Sequence, residues 1–148
     1  SIIPGITSAS AAVASIGQSL TKRDRNSSVR FVTGHDMKVY AELDWRALSK
    51  PGNVAAIYKG KKSSRYVQGR LMMHGAASTT PVTIVENISR PDQRTVSTVL
   101  ATLPEAVADL TGPALILLGL APRAVPAMSA LKNEEIALWA AAPSPPRL

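Results

Sequence analysis

The chain has 148 residues, of which 45% are hydrophobic and 18% are charged, a balance typical of a globular protein rather than a disordered one. It contains no cysteine, which excludes a disulfide scaffold, a thiolate metal site and a cysteine nucleophile. The net charge is +7, while aromatic residues make up only 4%, which argues against the base-stacking surface of an RNA-binding domain.

The positive charge is concentrated in the first half of the chain. Residues 1–75 hold twelve Lys or Arg and four Asp or Glu, whereas residues 76–148 hold five and six. A one-sided positive field favours an anionic partner, such as a polycarboxylate, nucleic acid or a membrane surface, although solvated surface cations are the simpler alternative. The longest apolar run, residues 114–121, is too short to span a membrane. With no cysteine and no export sequence, we expect a cytoplasmic protein.

The first half of the chain alternates between helices and apolar strands. A helix rich in small residues runs from Thr7 to Ile16 and is ended by Gly17. The segment before it, Ser1–Gly5, has no Met and resembles the end of a strand, which suggests a fragment of a longer protein. The elements predicted next are a strand over 28–33, a short helix over 42–49, a buried strand over 54–58 and a basic helix over 61–74.

The second half continues the same alternation. The predicted elements are a buried strand over 81–85, an edge strand over 93–99, a helix over 101–110, a buried strand over 113–119 and a helix over 128–141 with a Pro-rich tail. Strands that are apolar on both faces require helices on both sides of the sheet. The sequence therefore predicts an α/β fold with a mixed sheet of about five strands. One domain is expected over 1–122, followed by a terminal helix and tail over 123–148.

Polar and glycine residues follow three of the predicted strands. These strand ends are Gly34–His35, Lys59–Gly60 and Glu86–Ile88. Open α/β sheets bind ligands beyond the carboxyl ends of their strands, so we expect a site there, together with the helix start at Pro4–Ser8. The dinucleotide-binding, P-loop, hydrolase-elbow and zinc-protease motifs are missing. The two histidines fall in different loops, so no metal site is predicted.

Eight short segments resemble, in the same order, motifs of the tetrapyrrole methylase family, in particular the uroporphyrinogen-III C-methyltransferases that include siroheme synthase. Ile3–Ala9 is similar to the family's "VPGITS" turn, and Ser28–His35 to its "SV-FVTGH" strand. The other segments are Leu20–Arg23 ("PLTHR"), Asp44–Trp45 ("DW"), Tyr58–Gly60 ("YMG"), Thr80–Asn87 ("TPVAVVENGT"), Pro91–Arg94 ("P-QR") and Gly112–Ile116 ("SPALIIVG"). The resemblance extends from residue 2 to about residue 122.

The resemblance implies the C-terminal domain of the tetrapyrrole methylase fold. The glycine-rich "GAGPGD" loop and the "GDPFVFGRG" segment of the family's N-terminal half have no counterpart here. In the family, S-adenosyl-L-methionine lies between the two halves, and the proposed acid/base residues lie in the N-terminal half. The resemblance thus implies that this chain closes the cofactor cleft and that its catalytic residues lie elsewhere, so the isolated chain is expected to be inactive.

Five positions correspond by resemblance to cofactor contacts: Thr7, Ser8, Lys59, Ile88 and Ala114. Two of them depart from the family pattern. Lys59 replaces the Met of "YMG", and Ile88 replaces the Gly of "ENGT". A cation beside a sulfonium is unfavourable unless the Lys side chain points to solvent.

The implied substrate is a polycarboxylate, which suits the basic first half of the chain. Arg23, Arg25 and Arg30 are the candidates for contacts with its carboxylates. The neighbouring Lys22 replaces the His of "PLTHR", so no substrate role is carried over to that position.

The implied reaction is the methylation of uroporphyrinogen III to precorrin-2 by way of precorrin-1, in siroheme or cobalamin biosynthesis, by a homodimer. Two alternatives stay open: a methylase of the same fold acting on ribosomal RNA or protein, and a non-catalytic dimerisation domain. The "FVTGH", "DW" and "P-QR" motifs favour the tetrapyrrole branch.

Overall fold

The computed structural model describes residues 1–35 and 42–124. The predicted helix over 128–141 and the Pro-rich tail lie outside these residues. The helices are α1 (Ser8–Ser15), α2 (Trp45–Leu48), α3 (Ser64–Met73) and α4 (Leu103–Ala106), the last preceded by a 3₁₀ turn over Leu100–Thr102. The strands are β1 (Arg30–Thr33), β2 (Ala55–Tyr58), β3 (Pro81–Glu86), β4 (Arg94–Val99) and β5 (Ala114–Leu118).

The strands form one mixed five-stranded sheet in the order β1-β2-β5-β3-β4, which confirms the predicted fold class. β1 pairs with β2 in parallel, whereas β5 is antiparallel to both β2 and β3, and β4 is antiparallel to β3. As a result, β1, β2 and β3 all end at the same edge of the sheet, where β5 begins. We call this edge the carboxyl edge.

Helices cover both faces of the sheet, because its central strands are apolar on both sides. On one face, α1 contributes Ala9, Ala12 and Val13 to a cluster with Leu115 and Leu117 of β5. The opposite face carries a second cluster, in which residues of α2, α3 and α4 pack against alternate strand residues, among them Ile57, Ile84 and Ile116. Burial of one such side chain stabilises the fold by about 1.5–3 kcal/mol.

Several elements differ from the predicted ones at their ends. Helix α3 begins at Ser64 rather than at residue 61, because residues 61–63 form a turn. The helix predicted over 101–110 becomes a 3₁₀ turn and one turn of α-helix, with Pro104 in its first turn. Residues 1–7 contain neither helix nor strand. Within the described ranges no helix has both the length and the apolar character needed to cross a membrane.

Candidate functional site

A cavity of about 650 Å³ lies at the carboxyl edge of the sheet. Its walls come from the ends of β2 and β3, the start of β5, and the residue that opens α1. It therefore brings together strand ends that are far apart in sequence. The lining residues are Ser8, His35, Tyr58, Lys59, Lys61, Lys62, Asn87, Ile88, Arg90, Thr111, Gly112, Pro113, Ala114 and Leu115.

The helix start at α1 presents one of its two hydroxyl residues to the cavity. The Thr7 hydroxyl caps the helix by accepting a hydrogen bond from the Ser10 amide at 3.1 Å. Ser8, the first helical residue, is exposed and lines the cavity, whereas Thr7 does not. Of the two residues predicted to contact the cofactor here, only Ser8 therefore lines the cavity directly.

Two glycines allow the backbones after β1 and β2 to approach each other closely. A Cβ atom on Gly34 would lie 2.9 Å from the Gly60 Cα atom, and the Gly34 amide donates to the Tyr58 carbonyl at 2.7 Å. Lys59, which stands between Tyr58 and Gly60 in the chain, has a φ of 55°, in the left-handed region that L-residues seldom adopt. Its exposed side chain lines the cavity.

This left-handed conformation should make Lys59→Gly stabilising. The conformation costs an L-residue about 1–2 kcal/mol, and the added freedom of an unfolded glycine offsets about 0.5–1 kcal/mol of the gain. We expect the free energy of unfolding, measured by urea denaturation, to rise by up to about 1 kcal/mol. The matched control is Lys62→Gly, at an exposed lysine outside the left-handed region, where the same change should destabilise. A loss of stability in both variants would contradict the prediction.

The end of β3 forms the opposite wall. Asn87 also has a left-handed backbone, with φ 51°, and its amide donates to the Pro113 carbonyl at 2.9 Å. Its side-chain amide donates to Asp92 at 2.7 Å. Gly112 packs so closely on this side chain that a Cβ atom there would lie 2.3 Å from Asn87 Oδ1. These contacts fix the loop on which Ile88 reaches the cavity.

The segment before β5 is held by Lys61. Its Nζ donates to the Leu110 carbonyl at 3.0 Å and to the Gly112 carbonyl at 2.8 Å. These two bonds join the turn that precedes α3 to the segment that leads into β5. Lys61 therefore shapes the cavity, a role that the sequence analysis missed.

A buried carboxylate holds the same segment from the other side. Glu86 is only 2% exposed, and its Oε1 accepts a hydrogen bond from the Gly112 amide at 2.5 Å. Arg94 lies 3.7 Å from Glu86 Oε2 and pairs with Asp109 at 3.0 Å. The hydrogen bond and charge of Arg94 lower the pKa of Asp109 from its ordinary value. As the Arg94–Asp109 pair is exposed, its net effect on stability is small.

The lining of the cavity is cationic. Lys59, Lys61, Lys62 and Arg90 all line it, and no Asp or Glu is among its lining residues within the part of the chain that the structure describes. Lys61 is engaged with backbone carbonyls, whereas the other three cations are exposed. Such an arrangement attracts anionic groups.

The three arginines predicted to contact carboxylates lie elsewhere. Arg23 and Arg25 line a separate depression formed by residues 21–27, and Arg30 opens β1 at the end opposite His35. The Arg25 guanidinium donates to Asn26 at 2.7 Å, to Gln18 at 3.3 Å and to the Ser19 carbonyl. Arg25 therefore stabilises its own loop. Among residues 1–35 and 42–124, no three acidic, His or Cys side chains come together as a metal site would require.

Comparison with known proteins shows that this chain is similar to a methylase family and to siroheme synthases. The sequence profile of the family described as "Tetrapyrrole (Corrin/Porphyrin) Methylases" matches residues 1–104. The siroheme synthase of Pseudoalteromonas translucida strain TAC 125 is 41% identical over 120 residues, which is 80% of this chain and 25% of that protein. The siroheme synthase of Enterobacter sp. strain 638 is 42% identical over 119 residues, covering 80% of this chain and 26% of its own length.

The solved structures that resemble this chain are also of tetrapyrrole methyltransferases. A cobalamin biosynthetic enzyme, cobalt precorrin-4 methyltransferase, superposes with a TM-score of 0.72 at 26% identity, over 80% of this chain and 51% of that one. Uroporphyrin-III C-methyltransferase from Thermus thermophilus, complexed with S-adenosyl homocysteine, gives a TM-score of 0.66 at 25% identity, over 80% of this chain and 51% of the other. The chain thus spans about a quarter of the siroheme synthases that it matches and about half of these solved methyltransferases.

Proposed function

Because the chain belongs to the tetrapyrrole (corrin/porphyrin) methylase family, we propose that its cavity holds S-adenosyl-L-methionine during methylation of a tetrapyrrole. The proposed substrate is uroporphyrinogen III, which is converted to precorrin-2 by way of precorrin-1. The chain supplies one side of the cofactor cleft. We further propose that the protein is a cytoplasmic homodimer. Sedimentation velocity should then give a molecular mass twice that of the monomer.

One observation carries this proposal. Four of the five residues expected to contact the cofactor, Ser8, Lys59, Ile88 and Ala114, line one cavity although they come from four separate segments. Ligands of open α/β sheets bind at this position, beyond the carboxyl ends of strands. The likeness to a uroporphyrin-III C-methyltransferase that binds S-adenosyl homocysteine supports the same ligand here.

The residues of the cavity suit binding and orientation rather than proton transfer. Ile88, Ala114 and Leu115 offer apolar surface, while the Ser8 hydroxyl offers a hydrogen-bonding group. S-adenosyl-L-methionine supplies an electrophilic methyl group, and its transfer to a ring carbon depends mainly on alignment of the two reacting atoms. Backbone hydrogen bonds of Gly34 and Asn87 hold the strand ends that line the cavity, which favours such alignment. We assign no acid or base to these residues.

Arg23, Arg25 and Arg30 are proposed contacts for acidic side chains of the tetrapyrrole. Arg23 is the strongest of the three, because the Arg25 guanidinium already has three acceptors within its own loop. Exposed arginines bind carboxylates through paired hydrogen bonds. We expect Arg23→Ala to weaken binding of a polycarboxylate porphyrin, or to raise its KM in the active enzyme, and an unchanged value would exclude this contact.

Binding of S-adenosyl homocysteine to the 148-residue chain tests the cofactor site. In Ser8→Trp, the bulky side chain should enter the cavity and lower the affinity measured by calorimetry by roughly tenfold, a loss of about 1.4 kcal/mol. The matched control is Ser15→Trp, which changes another exposed serine at the far end of α1. Equal affinities in the two variants would place the ligand outside this cavity. The same conclusion would follow if, in NMR spectra, addition of the ligand shifted only the amide signals of residues 21–27.

A further inference from the structure

We infer that Lys59, Lys62 and Arg90 form a carboxylate-binding cluster at the cavity, and that an acidic tetrapyrrole bound there favours entry of the positively charged cofactor. The inference rests on the proposed function and deepens it, since it assigns the substrate's anionic groups to the cofactor cavity itself.

The first support is that these three cations are available. Each lines the cavity with an exposed side chain. Within residues 1–35 and 42–124 the side chains of Lys59, Lys62 and Arg90 have no hydrogen-bond or ion-pair partner, whereas Lys61, Arg70 and Arg94 are all engaged. Cations that do not stabilise the fold can bind a ligand without breaking a structural contact.

The second support is that no compensating acid lines the cavity within the two described stretches of the chain. Its described lining has no carboxylate, and the nearby Glu86 and Asp92 are held by Gly112 and Asn87. Three like charges around one cleft focus a positive potential in it. Carboxylates of a ligand are therefore the natural counter-ions.

The third support comes from the charge of the cofactor. S-adenosyl-L-methionine has a sulfonium in addition to its amino and carboxylate groups, whereas S-adenosyl homocysteine has a neutral sulfur. A cluster of unneutralised cations opposes the sulfonium and leaves the neutral sulfur unaffected. Carboxylates bound to Lys59, Lys62 and Arg90 remove this repulsion. Binding of tetrapyrrole and methyl donor should therefore be mutually favourable, as linkage requires.

The test uses the 148-residue chain and uroporphyrin III, the stable oxidised form of the proposed substrate, which keeps its carboxylates. The affinity of the chain for uroporphyrin III is measured by fluorescence. The affinities for S-adenosyl-L-methionine and for S-adenosyl homocysteine are measured by calorimetry, each with and without saturating porphyrin. We expect the porphyrin to strengthen binding of S-adenosyl-L-methionine by roughly 5–10-fold and to change that of S-adenosyl homocysteine less than about twofold.

Two triple variants with the same charge change separate the cluster from general electrostatics. In the test variant, methionine replaces Lys59, Lys62 and Arg90. In the control it replaces Arg46, Lys50 and Arg123, which are exposed cations outside the cavity. The test variant should bind uroporphyrin III at least about tenfold more weakly and lose the effect of porphyrin on the methyl donor, while the control changes less than about twofold. Thermal melting checks that both variants fold.

The outcomes distinguish this inference from the proposed function. Equal losses of porphyrin affinity in the two triple variants, or a loss seen only in Arg23→Ala, would overturn the cluster. If S-adenosyl homocysteine binds and uroporphyrin III does not, the cluster is wrong while the cofactor site stands. If the porphyrin binds through the cluster and neither cofactor form binds, the cluster stands and the cofactor assignment fails. If nothing binds, both are wrong.

Discussion

Replacing Gly119 with alanine should lower the free energy of unfolding by about 3 kcal/mol or more. Gly119 follows the central strand β5 with a φ of 83°, a conformation that costs an L-residue about 1–2 kcal/mol. In addition, a Cβ atom there would lie 2.2 Å from the Asn53 carbonyl oxygen. Because this neighbour is backbone, relief of the clash requires the start of β2 or the end of β5 to move.

Two other glycines separate these contributions when changed to alanine in the same way. Gly75 has a φ of 93° with open space around its Cα, so Gly75→Ala should lose only the conformational part. This part is about 1–2 kcal/mol, of which about 0.5–1 kcal/mol is returned by the smaller freedom of the unfolded alanine, for a net loss of up to about 1 kcal/mol. Gly69 lies inside helix α3, also in open space, so Gly69→Ala should gain about 0.5–1 kcal/mol. Urea denaturation should give the highest free energy of unfolding for Gly69→Ala, an intermediate value for Gly75→Ala and the lowest for Gly119→Ala. Equal losses at Gly75 and Gly119 would mean that the Asn53 contact is relieved without cost.

Replacing Lys61 with methionine should destabilise the protein by about 2 kcal/mol and weaken binding at the cavity. Methionine keeps the unbranched, apolar part of the lysine side chain but cannot donate to the carbonyls of Leu110 and Gly112. Partly buried carbonyls without a donor raise the energy of the folded state. The freed segment also carries Pro113 and Ala114, so the shape of the cavity should change with it.

The adjacent lysine provides the control for Lys61. Lys62 is exposed and makes no side-chain hydrogen bond with any of residues 1–35 and 42–124, so Lys62→Met should leave the free energy of unfolding within about 0.5 kcal/mol of the original. We expect affinity for S-adenosyl homocysteine to fall by roughly tenfold in Lys61→Met, because the binding surface is no longer held in place. Matching stabilities for the two variants would show that the Lys61 bonds contribute nothing to the wall.

Local patterns predict the elements of this fold well, but they do not predict how the strands are ordered. The apolar run at 113–119 identifies β5 as a buried strand, and the polar alternation at 93–99 identifies β4 as an edge strand. Nothing local to residues 113–119 shows that β5 lies between β2 and β3, because that placement depends on pairing across the whole sheet. The helix expected at 101–110 is shorter because residues 107–113 turn back toward the sheet.

For the candidate site too, local patterns predict its position, but they do not predict the long-range contacts that shape it. Strand ends and the helix start locate the cavity, since Lys59, Ile88 and Ser8 each follow or open a predicted element. The sequence does not reveal that Lys61 reaches residues about fifty positions away, or that Glu86 turns inward to bind Gly112. Likewise, charge counting favoured Arg23, Arg25 and Arg30, whereas long-range folding brings Arg90 to the cavity that Lys59 and Lys62 also line.

The position of β5 has a consequence for synthesis on the ribosome. As the last described strand, it pairs with β2 and β3, so neither can complete its ladder until residue 118 has left the exit tunnel. Until then, two apolar strand edges stay open to other nascent chains. The family match ends at residue 104, ten residues before β5 begins. A chain cut at that boundary would keep almost every recognisable motif, yet we expect it to aggregate.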